Sequence, residues 1–271
     1  MTQPGGGARP AVSICVVNYK TPLLTKLCIR SIRRFTPQPY ELIVVDNDSK
    51  DESLDYLRSV KWIKLVERKA GEAKPPAWMH GNALDMGFEA SSGEFFVSLH
   101  SDTLIHREGW LDLLLSPALE NPRLACSGCG KLDLKPQWLM LLKACTDVKD
   151  WLRRLNPEVR RDFYVRTICA LYRSETLRKE KLRFDMDCDK KLTCGQQLYY
   201  ELLDKGYPLK EIPERTMASY IHHLAHATMV LNKDVEFKVR SRTERKCKAA
   251  LERILSSPLA KEILEDSSLD S

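Results

Sequence analysis

No stretch of this sequence approaches the run of about 20 apolar residues that crosses a bilayer. Its first ten residues, MTQPGGGARP, lack the apolar centre of a secretory leader. Both absences point to a cytoplasmic protein. Also missing are GxGxxG and GxxxxGK, so no Gly-rich loop is there to cradle phosphates. Nine cysteines include a single CxxC, Cys126 to Cys129, without the second pair that a zinc site would need, which leaves a plain strand and turn lined with reduced thiols. The net charge of +6 is small and both signs are mixed along the chain, which argues against a nucleic-acid binder. Positive charge concentrates only in residues 237–253 (FKVRSRTERKCKAALER), read as a solvated helix face or as a peripheral contact with anionic lipid at the inner face of the membrane.

What is present is an alternation of strands and helices. Residues 12–19 (VSICVVNY) form an apolar, β-branched run that stops at Asn-Tyr-Lys-Thr-Pro, the pattern of a buried strand entering a loop. Leu24, Leu27, Cys28, Ser31, Ile32 and Phe35 then share one helical face, and Pro37 and Pro39 stop it before the strand ELIVVDN. The order continues through an amphipathic segment around Leu54 and Leu57, the strand WIKLVER, a helix through Ala83 and Gly87, and a strand over 94–99. It predicts an α/β, Rossmann-like fold: a mainly parallel, doubly wound sheet flanked by helices, with functional groups at the carboxyl ends of the strands. Later elements are a helix near 110–119, a strand over 123–127, a helical stretch over 136–155, a strand over 167–172, a helix over 196–205, a strand-like 207–212, and a helix over 241–255 before a polar tail.

Two predicted strands end in acidic turns on the same edge, DNDS at 46–49 and HSD at 100–102. Taken singly, each reads as a turn and helix cap. Together they supply what a nucleoside diphosphate needs in the absence of a Gly-rich loop: acceptors for base and ribose, and a carboxylate for a hard cation on the diphosphate.

Across roughly 11–228 the sequence resembles the inverting glycosyltransferases of family 2, which have the GT-A fold. The resemblance is carried by VSICVVNYKTPLLTKLCIRSI, ELIVVDNDSKDESLDYL and HGNALDMGFEASSGEFFVSLHSDTLIHREGWLDLLL, in that order. It implies a nucleotide-sugar-binding half over 11–130, an acceptor-binding half over 131–230 and a helical C-terminal extension over 231–271, after a disordered 1–10. Asn18, Tyr19, Asp46, Asp48 and Ser101 would hold a dTDP-, UDP- or GDP-sugar. Asp102 stands where the family has the last residue of Asp-x-Asp or, in rhamnosyltransferase-like members, of Asn-Pro-Asp, and would bind Mn²⁺ or Mg²⁺. His100 replaces the first acid, which removes a negative charge beside the cation. In HHLAHAT, His223 falls where the family often adds a histidine ligand, with His226 and Thr228 replacing its Gly and Ser. An imidazole there favours Mn²⁺ over Mg²⁺.

The family usually takes its general base from Glu-Asp-x-Asp-Leu at the start of a helix running to Gly-Tyr. Here that helix is QQLYYELLDKGY, and the three acids fall on Cys194, Gly195 and Gln197. The nearest replacements are Asp185, Asp187 and Asp189, with Asp189 the candidate base. Trp138, Trp151 and Arg173 lie where the family shapes its acceptor site, for a glycan, a lipid-linked glycan as in cell-envelope polysaccharide synthesis, or a small molecule. The competing readings are a degenerate GT-A domain that binds nucleotide sugar or a partner without efficient transfer, and a nucleotidyltransferase, which the missing Gly-rich activating loop disfavours.

Overall fold

The computed structural model describes residues 12–69, 76–132, 164–185, 192–232 and 240–271. β1 (Val12–Asn18) is buried along its whole length, as expected of a strand covered on both faces. It pairs in parallel with β2 (Tyr40–Asp46) on one side and β4 (Phe95–His100) on the other, and β2 pairs in parallel with β3 (Ile63–Glu67). Beyond β4 come β7 (Cys169–Arg173), β6 (Cys126–Gly128) and β8 (Leu209–Glu211), completing a sheet in the order β3-β2-β1-β4-β7-β6-β8. β7 is antiparallel to both neighbours and β6 is parallel to β8, so six of these seven strands share one direction.

Alternation along the strands fills two cores. Val12, Ile14 and Val16 of β1 face α1 (Pro22–Phe35) and α4 (Trp110–Glu120), packing with Ile29, Ile32, Trp110 and Leu114. Cys15 and Val17 face α3 (Pro76–Glu89) with Ile43, Phe88 and Phe96. α3 lies so close to β1 that a Cβ on Gly87 would come within 2.3 Å of Cys15 Sγ. α1 starts with Pro22 in its first turn, where the missing N–H costs nothing, and carries Arg33 and Arg34 at its carbonyl end, favourable to the helix dipole. α2 (Glu52–Ser59) is capped by Asp51, whose carboxylate accepts from Ser53 N at 3.1 Å.

The second half adds α5 (Ser174–Lys179), α6 (Cys194–Asp204), α7 (Glu214–Ala218) and α8 (Ala227–Leu231). A separate two-stranded ribbon pairs β5 (Thr103–Ile105) antiparallel with β9 (Ile221–His223). The sequence reading left residues beyond 255 as a polar tail. Instead, α9 (Ser241–Leu255) is followed by α10 (Pro258–Glu265) and a 3₁₀ turn (Ser267–Asp270). Ile254, Ala260 and Ile263 pack with Leu24 and Leu27 of α1 and with Leu104 and Leu224 of the ribbon. Arg30, 2% exposed, seals the contact: it donates to the carbonyls of Ile263 and Leu264, which α10 leaves unpaired at its end, and forms a two-pronged ion pair with Asp270. Tyr56 Oη donates to the same carboxylate at 2.8 Å. Among the described residues no helix is long and apolar enough to cross a membrane.

Candidate active site

The carboxyl ends of β1 and β2 lie side by side, with Asn18 paired in register to Asp46. Asn18 Nδ2 reaches Asp46 Oδ1 at 2.7 Å, Ser53 Oγ at 2.8 Å and Ser49 Oγ at 3.0 Å, while its Oδ1 accepts from Thr25 Oγ1 at 2.6 Å. The other oxygen of Asp46 accepts from Ser49 N at 3.1 Å. Asn18 and Asp46 are thus buried and internally satisfied, and they organise the turn from beneath.

The surface open to the cleft belongs to Tyr19, Lys20, Asn47, Asp48, Ser49, Lys50 and Met79. Lys20, Asp48 and Lys50 all adopt positive φ (48°, 63° and 52°), a conformation costly for residues with a side chain. Three such residues on one cleft mark a loop whose shape is held by its surroundings. Beneath it, Arg68 follows β3; its backbone N–H donates to Asp46 O at 2.9 Å and its guanidinium to Asn47 Oδ1 at 2.5 Å and Asn82 Oδ1 at 3.0 Å.

The second acidic turn ends β4. Ser101 and Asp102 are buried within it, and the β5–β9 ribbon brings Thr103 opposite His223, with Leu224 N donating to Asp102 O at 2.9 Å. Asp102 Oδ1 is shielded from solvent and accepts no well-aligned hydrogen bond among the described residues. It lies 3.3 Å from His223 Nε2 and 3.8 Å from His100 Nδ1. His223 Nδ1 is 3.1 Å from the carbonyl of Leu132. A carbonyl only accepts, so Nδ1 carries a proton, and Nε2 is the nitrogen turned toward the carboxylate. His100 Nε2 similarly meets Thr167 Oγ1 at 3.4 Å, leaving Nδ1 to face Asp102.

Burial pushes the Asp102 carboxyl pKa up, but the adjacent His223 more than offsets this and holds it below the ordinary value. Burial, reinforced by the neighbouring His80, lowers His100 to about 3, so its ring is neutral. Two imidazoles and a carboxylate form a compact set of nitrogen and oxygen donors at this turn. The three donor atoms lie within 4.8 Å of one another. His223 also shows the habit of metal-binding histidines, which anchor the far ring nitrogen on a backbone carbonyl. Two imidazoles with one carboxylate suit Mn²⁺ better than Mg²⁺ and leave coordination positions for a ligand.

α6 begins beside this cluster. Cys194 is buried, and a Cβ on Gly195 would lie 3.1 Å from Thr167 Cγ2, the residue that touches His100. Asp185 is held through its backbone N–H by the carboxylate of buried Asp85 at 2.8 Å. Asp187, Asp189, Trp138 and Trp151 lie outside the described residues.

Arg173 calls for a correction. It pairs with Phe95 at the start of β4, which puts it at the amino edge of the sheet, away from Asp102. There it donates to the carbonyls of Leu124, Ala118 and Asn121 and pairs with Glu94, so it is scaffolding and not part of an acceptor site. Arg68 and His80 carry no local signal in the sequence, being an arginine that ends an edge strand and a histidine inside a helix, and Asn47 is marked only as part of the DNDS turn.

The profile of Glycosyl transferase family 2 matches residues 13–179, and the chain belongs to that family. The sequence is 27% identical over 128 residues to the putative glycosyltransferase EpsH of Bacillus subtilis (strain 168), covering 46% of this chain and only 35% of that protein. The fold is similar to a mannosyltransferase from Pyrobaculum calidifontis, PcManGT, solved with GDP-Man and Mn²⁺ (TM-score 0.55, 17% identity, 94% of this chain and 73% of that one). It is also similar to glucosyl-3-phosphoglycerate synthase from Mycobacterium tuberculosis, solved with Mg²⁺ and UDP (TM-score 0.54, 16% identity, 93% and 85%). The architecture is accordingly GT-A: a mostly parallel sheet flanked by helices, with its polar turns at the carboxyl edge.

Proposed function

We propose that this protein transfers a sugar from a nucleoside diphosphate sugar to a hydroxyl acceptor, with inversion, using a divalent cation held by His100, Asp102 and His223. The observation that carries this reading is the convergence of His100, Asp102 and His223, whose nearest nitrogen and oxygen atoms lie within 4.8 Å of one another. The solved relatives, with GDP-Man and Mn²⁺ in one case and Mg²⁺ and UDP in another, support a donor of the UDP, dTDP or GDP type.

When bound, the cation offsets the negative charge that collects on the departing diphosphate. The chain's own residues do the rest. Tyr19, Asn47, Asp48 and Ser49 form the wall that holds the nucleoside, with Asn18 and Asp46 fixing that wall from below. The acceptor oxygen attacks the anomeric carbon as the bond to the phosphate oxygen breaks, and its proton passes to a carboxylate, for which Asp189 or Asp187 is proposed. Trp138 and Trp151 are proposed to meet the acceptor. The donor half is assigned to 11–130, the acceptor half to 131–230 and the extension to 231–271. The basic outer face of α9, with exposed Arg242, Arg245 and Lys246, is proposed to bring the protein to an anionic membrane carrying a lipid-linked glycan acceptor, at its cytoplasmic side.

A second reading has one observation in its favour: the start of α6 offers Cys194 and Gly195 where the family has its base, and Gly195 is packed against Thr167. In that reading the domain binds nucleotide sugar with weak or no transfer. Calorimetric titration with UDP, dTDP and GDP, with and without Mn²⁺, tests the first step. Manganese-dependent binding of one nucleotide, lost in Asp102→Ala and weakened in His223→Ala, is expected; no binding to any of the three would overturn both readings. Turnover of the matching nucleotide sugar then separates enzyme from binder.

A further inference from the structure

We propose that Arg68 determines which nucleobases the cleft accepts, by locking the Asn47 side chain with its amide N–H groups turned toward the ligand. This inference rests on the cleft being the nucleotide site. Arg68 is only 8% exposed, yet no carboxylate lies within ion-pair distance of it among the described residues. Its two hydrogen bonds go to amide oxygens, on Asn47 and Asn82, and Trp78 lies 5.9 Å from its guanidinium carbon. Burial lowers its pKa, with Asp48 the opposing influence.

A largely buried guanidinium without a carboxylate in ion-pair contact among the described residues is costly to desolvate, so its placement calls for a reason. Its chemistry supplies one. A guanidinium has five N–H donors and no acceptor, so any amide it touches must offer oxygen and turn its NH₂ group away. For Asn47, which lines the cleft, the turned-away group has no hydrogen-bond partner among the described residues and is the end left for a ligand. An unconstrained asparagine could flip and present either end. With Arg68 in place it presents donors only, beside the acceptor carboxylate of Asp48.

A base edge that suits this pair offers a ring carbonyl to Asn47 and an adjacent ring N–H to Asp48. Uracil, thymine and guanine carry that pair. Adenine carries neither and would leave the amide donors unpaired in a partly buried wall. Sites that hydrogen-bond a ligand group reject analogues lacking it far more strongly than apolar pockets reject a shape change. Removal of Arg68 frees Asn47 to flip, so the loss falls on selectivity and not on all nucleotides alike.

The test is titration of the manganese-loaded full chain with UDP, GDP and ADP, in wild type, Arg68→Met, Arg68→Lys and Asn47→Asp. Wild type is expected to bind UDP or GDP at least about tenfold more tightly than ADP, the size of one hydrogen bond to a buried group. In Arg68→Met that ratio should shrink by about tenfold, and Arg68→Lys, which keeps one donor for Asn47 Oδ1, should restore part of it. Asn47→Asp keeps the shape, replaces donors by oxygen and should lower the ratio even if Arg68→Met fails to fold. An unchanged ratio in both Arg68→Met and Asn47→Asp, or equal weakening for all three nucleotides, would overturn the inference while leaving the nucleotide site standing. Failure of wild type to bind any nucleotide would remove the site and the inference together.

Discussion

Arg68 and Arg173 stand at opposite edges of one sheet and are equally buried, 8% and 9% exposed, but their surroundings differ. Arg173 donates to three backbone carbonyls, pairs with Glu94 at 3.2 Å and lies over the Phe95 ring. Two of those carbonyls, Ala118 and Asn121, belong to the last turn of α4 and the residue after it, where a cation is welcome. Arg68 has two amide oxygens and, among the described residues, no carboxylate in ion-pair contact. Among the described residues, Asp102 Oδ1 and His80 Nε2 at the carboxyl edge are buried without hydrogen-bond partners, as are Tyr40 Oη and Ser174 Oγ at the amino edge. At the amino edge, Glu41 accepts from Ser13 and from Ser92, whose backbone and hydroxyl both donate to it. Buried polar groups that spend their hydrogen bonds internally hold the fold together; of those left short of partners, only the ones that border a cleft can serve a ligand.

The contrast can be broken most forcefully at Arg173. Arg173→Met should destabilise the protein by about 3 kcal/mol, because several buried carbonyls lose their donor at once. Chemical denaturation measures this, and nucleotide affinity of the folded fraction should not change. Asp102→Ala should act on the ligand first: about 100-fold weaker Mn²⁺ binding by calorimetry, with a smaller loss of stability than Arg173→Met. A marked loss of stability there would show that Asp102 is scaffolding.

Two acids sharpen the same point through pH. Asp85 is buried, and burial outweighs its two backbone donors and Arg183, raising its carboxyl to about 6. A raised folded pKa means a contribution present below the unfolded value and lost as pH rises through about 6. Wild type should therefore lose about 2 kcal/mol relative to Asp85→Asn between pH 4 and 7. Asp270 runs the other way. Burial raises its pKa, but the hydrogen bonds and charge of Arg30 and the hydroxyl of Tyr56 more than compensate and leave it lowered. Its contribution is present above the unfolded value and fades as pH falls through the lowered one. Asp270→Asn should cost about 1 kcal/mol at neutral pH and nothing in strong acid, read from denaturation midpoints across pH.

Much of this arrangement was legible in the sequence because the central strands are continuous apolar runs, which only a sheet covered on both faces can use. The acidic turns at 46–49 and 100–102 were readable for the same reason, since they follow strands whose ends are unmistakable. Strand direction was not. A strand over 167–172 placed in a parallel sheet puts Arg173 at the ligand edge; β7 runs antiparallel and carries it to the other end, and no local pattern records the difference. The ribbon of β5 and β9 is three residues on each side, too short for alternation to show, yet it is what sets His223 beside Asp102. The segment after 255 looked like a tail because its helices bury few residues of their own. Their docking depends on Arg30 and Tyr56, more than 200 positions earlier.

The packing at the start of α6 couples any side chain placed there to the ring of His100. A Cβ at Gly195 would press on Thr167 Cγ2 at 3.1 Å, on Thr167 N at 3.3 Å and on Val165 O at 3.4 Å, so part of the obstacle is main chain. A side chain at position 195 therefore requires the segment that also meets His100 to give by a few tenths of an ångström. A designer seeking a carboxylate near the cluster would do better to work outward from Asp185 than to build one at position 195.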